Sequence, residues 1–280
     1  MTLSVISLSQ THLTLLETCP RRFQYIFDQS LAVPPTPQNQ AAALWGNQFH
    51  RLMQQQAMGL PIGVMTTADS TMTDRVDALR QQAPQLFQPA THEQLRQSEH
   101  QRSLALNGYV FTVIYDLIVL TEQTGLIVDW KTYLKPPPKA RLENDWQTRL
   151  YCYVLAETSD LPPEQITMEY WFVRHQDNQN QYLPPSAYRF HYSGSRHDQT
   201  RAELLRLTDH LSTLRAQPRP FPQTDRLAQC QHCPFQIRCQ RHQRPELPLD
   251  LDAIEEVALD PTPHPSVQTA QLNIDSDKFN

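Results

Sequence analysis

A single carboxylate, Asp116, interrupts the otherwise uncharged run of residues 110–120, and this limits what the surrounding segment can become. Residues 109–121 and 126–134 are rich in Val, Ile, Tyr, Phe and Thr, and Glu122-Gln123-Thr124-Gly125 between them supplies polar residues and a turn glycine. That pattern predicts a β-hairpin. Side chains alternate faces along a strand, so Asp129 and Lys131 share one face while Val128 and Trp130 share the other. With residues 122–125 as the loop, Thr121 pairs with Leu126, Asp116 faces Lys131, and Asp129 is its diagonal neighbour. Any even loop length keeps Asp116 on the Asp129 face. A carboxylate in such a strand needs a partner, a metal or a raised pKa. Two carboxylates about 7–8 Å apart at Cβ can converge on one divalent cation, and a nearby ammonium can stabilise a phosphate or orient water. The set Asp116, Asp129 and Lys131 therefore points to metal-dependent phosphodiester chemistry. Taken alone, Asp-x-Lys on a hairpin also describes a solvated cross-strand ion pair.

Hydrophobic periodicity and breakers place the other elements. Ser9 caps a helix carrying Leu13, Leu15 and Leu16, and Pro20 breaks the chain before residues 21–27. Residues 31–40 read as a proline-rich loop, and helices follow over 41–58 and 73–87. Two or three strands span 97–134, and the prolines at 136–138 stop the sheet. Helices are expected over 144–158 and 195–216, with strands over 166–174 and 187–192. The order predicts an α/β fold with a mixed central sheet flanked by helices. On the helix after the hairpin, Gln147 and Tyr151 are spaced to share a face. An aromatic at that spacing is also ordinary core, and His50 on the helix before the sheet also reads as a hydrogen-bonded surface histidine.

Cysteine spacing adds a second constellation. Cys230, Cys233 and Cys239 fall within ten residues, and Cys19 lies far upstream. In a chain whose start lacks the basic and apolar signature of an export signal, five cysteines point to a reducing cytoplasm and to ligand or core roles. Metal ligation is the reading for the three clustered residues. Zinc could use them with Cys19, His232 or His242, whereas an iron-sulfur cluster would recruit Cys19 as its fourth thiolate. Either would clasp the N-terminal and C-terminal segments together. Cys152 reads as a small buried residue.

Charge separates a body from a tail. Residues 246–280 hold eight acids against Lys278, and the whole chain carries −5, which leaves residues 1–245 at +2. A slightly basic domain over 1–245 followed by an acidic, disordered segment over 246–280 suits a DNA-binding protein. No run approaches the roughly 18 apolar residues of a membrane span.

In order and spacing, His50, Asp116, Asp129-Trp130-Lys131 and Gln147-x3-Tyr151 resemble the RecB-like branch of the PD-(D/E)XK nucleases. The start Cys19-Pro20-Arg21-Arg22-Phe23 and the finish at Cys230, Cys233 and Cys239 resemble its iron-sulfur members, among them the AddB nuclease domain and the CRISPR-associated RecB-like exonucleases. The resemblance covers residues 9–239 and implies a restriction-endonuclease-like core. It implies a DNA exonuclease of repair or recombination. Asp116 and Asp129 would bind Mg²⁺ or Mn²⁺ with His50 and the Trp130 carbonyl, Lys131 would position the attacking water, and Gln147 and Tyr151 would orient substrate or lysine. It further implies a four-iron four-sulfur cluster on Cys19, Cys230, Cys233 and Cys239. Glu99 is a weaker candidate for the site. No Gly-x4-Gly-Lys-Ser/Thr loop occurs, so any helicase would be a partner. A non-catalytic iron-sulfur DNA-binding subunit of a helicase-nuclease complex and a zinc-stabilised interaction protein are the alternative expectations.

Overall fold

The computed structural model describes residues 6–31, 37–60 and 70–241. The acidic segment expected over 246–280 lies outside the described residues.

β3 (Tyr109–Leu120) organises a six-stranded mixed sheet among the described residues. β2 (Leu95–Leu106) runs antiparallel along the whole of one edge. The other edge is shared. β1 (Ile6–Leu8) pairs in parallel with Tyr109–Phe111, and β4 (Gly125–Lys131) pairs antiparallel with Leu117–Leu120. Residues 112–116 of β3 lie between these two partners. β4 then carries β5 (Ile166–Phe172) in parallel, and β5 carries β6 (Ser186–His191) antiparallel.

Two apolar layers cover the sheet. α1 (Gln10–Thr18), α6 (Trp146–Glu157) and α7 (Gly194–Arg215) pack on one face around Phe111, Tyr115, Ile118, Ile127, Leu150 and Leu207. α3 (Pro37–Ala57) and α4 (Ser70–Gln82) cover the other around Phe49, Leu52, Val76, Leu117, Val128 and Trp130. The short helices α2 (Pro20–Phe23) and α5 (Lys139–Asn144) complete the set. Ser9 caps α1, and its backbone N–H donates to His12 Nδ1 at 3.1 Å, with a histidine where Glu or Gln commonly closes such a cap.

Several expectations are corrected. The hairpin pairs Leu120 with Gly125 and Leu117 with Val128, so the loop is residues 121–124 and the register is shifted by two from the expected one. Thr121 closes the loop: its N–H reaches the Thr124 carbonyl at 2.9 Å, and its hydroxyl accepts the Thr124 N–H at 2.9 Å. Asp129 and Lys131 keep to the Ile127 face, opposite Val128 and Trp130, by alternation along β4. The even loop does not fix the face of Asp116, because β3 breaks its own alternation there. Residues 37–40, expected as loop, form the first turn of α3. Proline is suited to that position, because its missing N–H has no partner there. α4 stops at Gln82 rather than at 87, because Pro84 cannot donate to a continuing helix. α5 was not expected at all.

Candidate active site

The site begins at a fault in the sheet. Along β3, Tyr109, Phe111, Val113 and Tyr115 belong to the α6 side, yet so does Ile118, while Leu117 and Val119 belong to the α3 side. The alternation slips once, at Asp116. β2 slips opposite it, at Glu99, whose φ is +52°, a left-handed conformation that is uncommon outside glycine. Both strands kink at one level, so the register on either side is unchanged.

At this kink β3 and β4 part. The last paired residues are Leu117 and Val128, so the next rung would join Asp116 and Asp129. Instead Asp116 Oδ2 accepts the Trp130 backbone N–H at 2.7 Å. Asp116 Oδ1 lies 3.2 Å from His50 Nδ1, which α3 carries over the sheet. Glu99 closes the group. One ligand atom from each of His50, Glu99 and Asp116 lies within 4.8 Å of the other two, and among the described residues this is the one set of three histidine, cysteine or acidic ligands so close. α3 is seated tightly above: a Cβ on Gly46, one turn before His50, would come within 3.1 Å of Thr132 Oγ1.

A second group lies on the α6 face. Lys131 Nζ is 2.7 Å from Asp129 Oδ1 and donates to Gln147 Oε1 at 2.7 Å. Gln147 donates its amide to the other Asp129 oxygen, so the amide ties acid and base into one ring. Lys131 Nζ also sits 4.6 Å from the centre of the Tyr170 ring. Tyr170 is itself fixed by Thr148, hydroxyl to hydroxyl at 2.8 Å. Tyr151 is buried on the same face. Gln10 Nε2 donates to its hydroxyl at 3.5 Å, Tyr115 donates to its carbonyl at 3.0 Å, and the rings of Tyr115 and Tyr151 meet edge to face.

The charges respond to each other. Burial and the neighbouring Asp129 push the Asp116 carboxyl up, against the His50 and Trp130 hydrogen bonds. Burial and Asp116 raise Glu99 likewise. For His50, burial disfavours the charged form, but the hydrogen bond and fields of Asp116, Asp129 and Glu99 override it and hold the imidazole above its ordinary value. Lys131 behaves in the same way, with burial overridden by Asp129. Three acids confined in this space create a need for positive charge. An oxygen-rich set with one nitrogen suits Mg²⁺ or Mn²⁺.

The structure thus brings His50, Asp116 and Glu99 together, and separately joins Asp129, Lys131 and Gln147. Trp130 enters through its backbone, its side chain being buried among the α3-side residues. Tyr170 was missed by the sequence reading. Its register partner across β4 and β5 is Asp129, a parallel pairing that no local pattern announces.

Away from this site, Cys19, Cys230, Cys233 and Cys239 border one cavity together with Arg22 and Tyr25. None is in a disulfide, and the Cys239 thiol is 4.0 Å from the Tyr25 hydroxyl. Arg21 links the segments here, donating from its backbone to the Pro222 carbonyl at 3.0 Å.

Residues 7–240 match the family model described as the PD-(D/E)XK nuclease superfamily. No curated protein matches the chain. Among solved structures, a candidate exonuclease from Eubacterium rectale is similar over 88% of this chain and 92% of its own, with a TM-score of 0.51 at 11% identity. The protein SSO0001 aligns over 87% of this chain and 90% of its own, with a TM-score of 0.39 at 13% identity. The first of these shares the fold. No helix among the described residues is long and apolar enough to cross a membrane.

Proposed function

We propose that this chain, which belongs to the PD-(D/E)XK nuclease superfamily, hydrolyses phosphodiester bonds of DNA at the kink between β3 and β4. The observation that carries the reading is the close set of His50, Glu99 and Asp116 beside the ring of Asp129, Lys131 and Gln147. A Mg²⁺ or Mn²⁺ ion held by His50, Glu99 and Asp116 would supply a water of lowered pKa and a counter-charge for the phosphate. Asp129 would join that set while keeping its hydrogen bonds, since a carboxylate has about four lone-pair sites. The Trp130 carbonyl would be a further oxygen ligand. Lys131, kept protonated by Asp129, orients the attacking water and offsets charge developing on the phosphate. Gln147 fixes the carboxylate and ammonium relative to each other, and Tyr151 anchors α6, which carries Gln147.

For the cysteines we propose a four-iron four-sulfur cluster. Cys19, Cys230, Cys233 and Cys239 bring four thiols to the border of one cavity, the number of thiolates that such a cluster takes. Its role is a clasp between the segments around Cys19 and Cys239. The proposed setting is DNA repair or recombination beside a helicase partner.

The test is cleavage of end-labelled single-stranded and duplex DNA by anaerobically purified protein with Mg²⁺ or Mn²⁺, with Lys131→Ala beside it. Cleavage that is lost in the variant supports the reading. Equal cleavage by the variant, or none by folded wild type, refutes it. Iron, sulfide and brown colour support the cluster, whereas colourless protein with one zinc refutes it.

A further inference from the structure

A cavity of about 110 Å³ adjoins the kink on the α3 side of the sheet. Its apolar wall is Met53, Ala57, Phe87, Pro89, Leu117 and Trp130, and Asp116 borders it. His50, Met53 and Ala57 recur at i, i+3 and i+7, so one face of α3 leads from the close ligand set to the cavity. Whatever enters there is next to the group on which Asp116 acts.

Most polar groups on the walls are already paired within the protein. Arg96 lines the cavity, but its guanidinium is spent on Glu93 at 2.7 Å and on the Leu86 and Gln85 carbonyls at 2.9 and 3.1 Å. Gln56 Oε1 is taken by Arg80 at 3.0 Å, and the Ser98 hydroxyl donates to the Asp116 carbonyl at 2.7 Å. A closed apolar cavity of about 150 Å³ holds benzene, and this one, smaller but open at its mouth, takes part of one flat ring.

We propose that this cavity is a slot for one unpaired nucleobase of the nucleotide flanking the scissile phosphate. The inference rests on the nuclease reading above and deepens it. A base reaches such a slot only after leaving its stack, which costs a duplex both pairing and stacking. The preferred substrate is therefore an unpaired strand.

The test walks one abasic nucleotide through a labelled single-stranded oligonucleotide, using the full chain with Mn²⁺. Wild type should cut the bond flanking the abasic position about tenfold or more slowly than the same bond in the intact strand, a size typical of a lost apolar contact. Ala57→Leu, which narrows the mouth at an exposed helix position, should slow the intact strand to a similar degree and leave the abasic bond unchanged. Ala42→Leu, exposed on the same helix outside the cavity, controls for helix effects and should match wild type. Uniform cleavage through the abasic position overturns the slot, as does an Ala57→Leu variant that slows both strands equally. Folded wild type that cuts no strand overturns the nuclease reading, and the slot with it.

Discussion

Asp116 Oδ2 accepts the Trp130 backbone N–H at 2.7 Å, where a rung of the β3–β4 ladder would otherwise continue. A side chain has replaced a carbonyl as the acceptor. This lets the strands diverge without leaving a buried N–H unpaired, and it fixes one carboxylate oxygen while the other remains directed at His50.

If the close set holds a divalent ion, Mn²⁺ should stabilise the folded chain. At a hundredfold excess over the dissociation constant the gain is about 2.7 kcal/mol, or roughly 5–11 °C in Tm for a domain of this size. Asp116→Asn should abolish that shift. Calorimetry with and without chelator checks it, and an undiminished shift in the variant would remove Asp116 from the ligand set.

Lys131→Ala should lower kcat by about 10²–10³ with little change in KM, as expected for a charge that acts in the transition state. Lys131→Arg should not rescue it. The guanidinium is broader than the ammonium that sits between Asp129, Gln147 and the Tyr170 ring. Steady-state cleavage kinetics on one oligonucleotide distinguishes this from a binding defect, which would raise KM instead.

Hydrogen bonds from Arg96 hold the Glu93 carboxyl below its ordinary value of 4.5. Its folded pKa is depressed, so the stability it contributes is present above the unfolded value and lost as pH falls through the folded one. Glu93→Gln should cost about 1–2 kcal/mol at neutral pH, and nothing once both forms are neutral in acid. Urea denaturation at the two pH values reads the difference directly.

Burial pushes the Cys152 thiol up to about 12. In folded protein stripped of metal, iodoacetamide near neutral pH should therefore spare Cys152 and modify Cys19, Cys230, Cys233 and Cys239, which are only partly buried. Peptide mass spectrometry locates the labels. Modification of Cys152 without unfolding would contradict its placement in the core.

Gly125→Ala probes packing away from the site. An added Cβ would lie 2.9 Å from Leu161 Cδ1 and 3.2 Å from Leu155 Cδ2. Overpacking of this kind costs about 1–3 kcal/mol. Thermal melts should show that loss, with cleavage by the remaining folded protein unaltered.

The hairpin and the common face of Asp129 and Lys131 were legible because a period of two leaves no other arrangement. The register was not, since Thr121 serves equally well as strand or loop until its hydroxyl is seen capping Thr124. Glu99 stood out only weakly because its place depends on a left-handed residue in a strand, which composition does not announce. Tyr170 required the β4–β5 register, which is set by α6 crossing over the sheet. The start of α3 was misread because Pro37 looks like a loop residue until the helix behind it is known.

The contact between the segments around Cys19 and Cys239 also bears on how the protein is made. The Arg21 side chain reaches the Phe221 carbonyl across 200 positions of sequence. At a synthesis rate of about 5–20 residues per second, the nascent chain carries Cys19 for roughly 10–40 s before its distant partners exist. Any inorganic centre on these four thiols can be completed only after the sheet has been translated, so its assembly would mark a finished body.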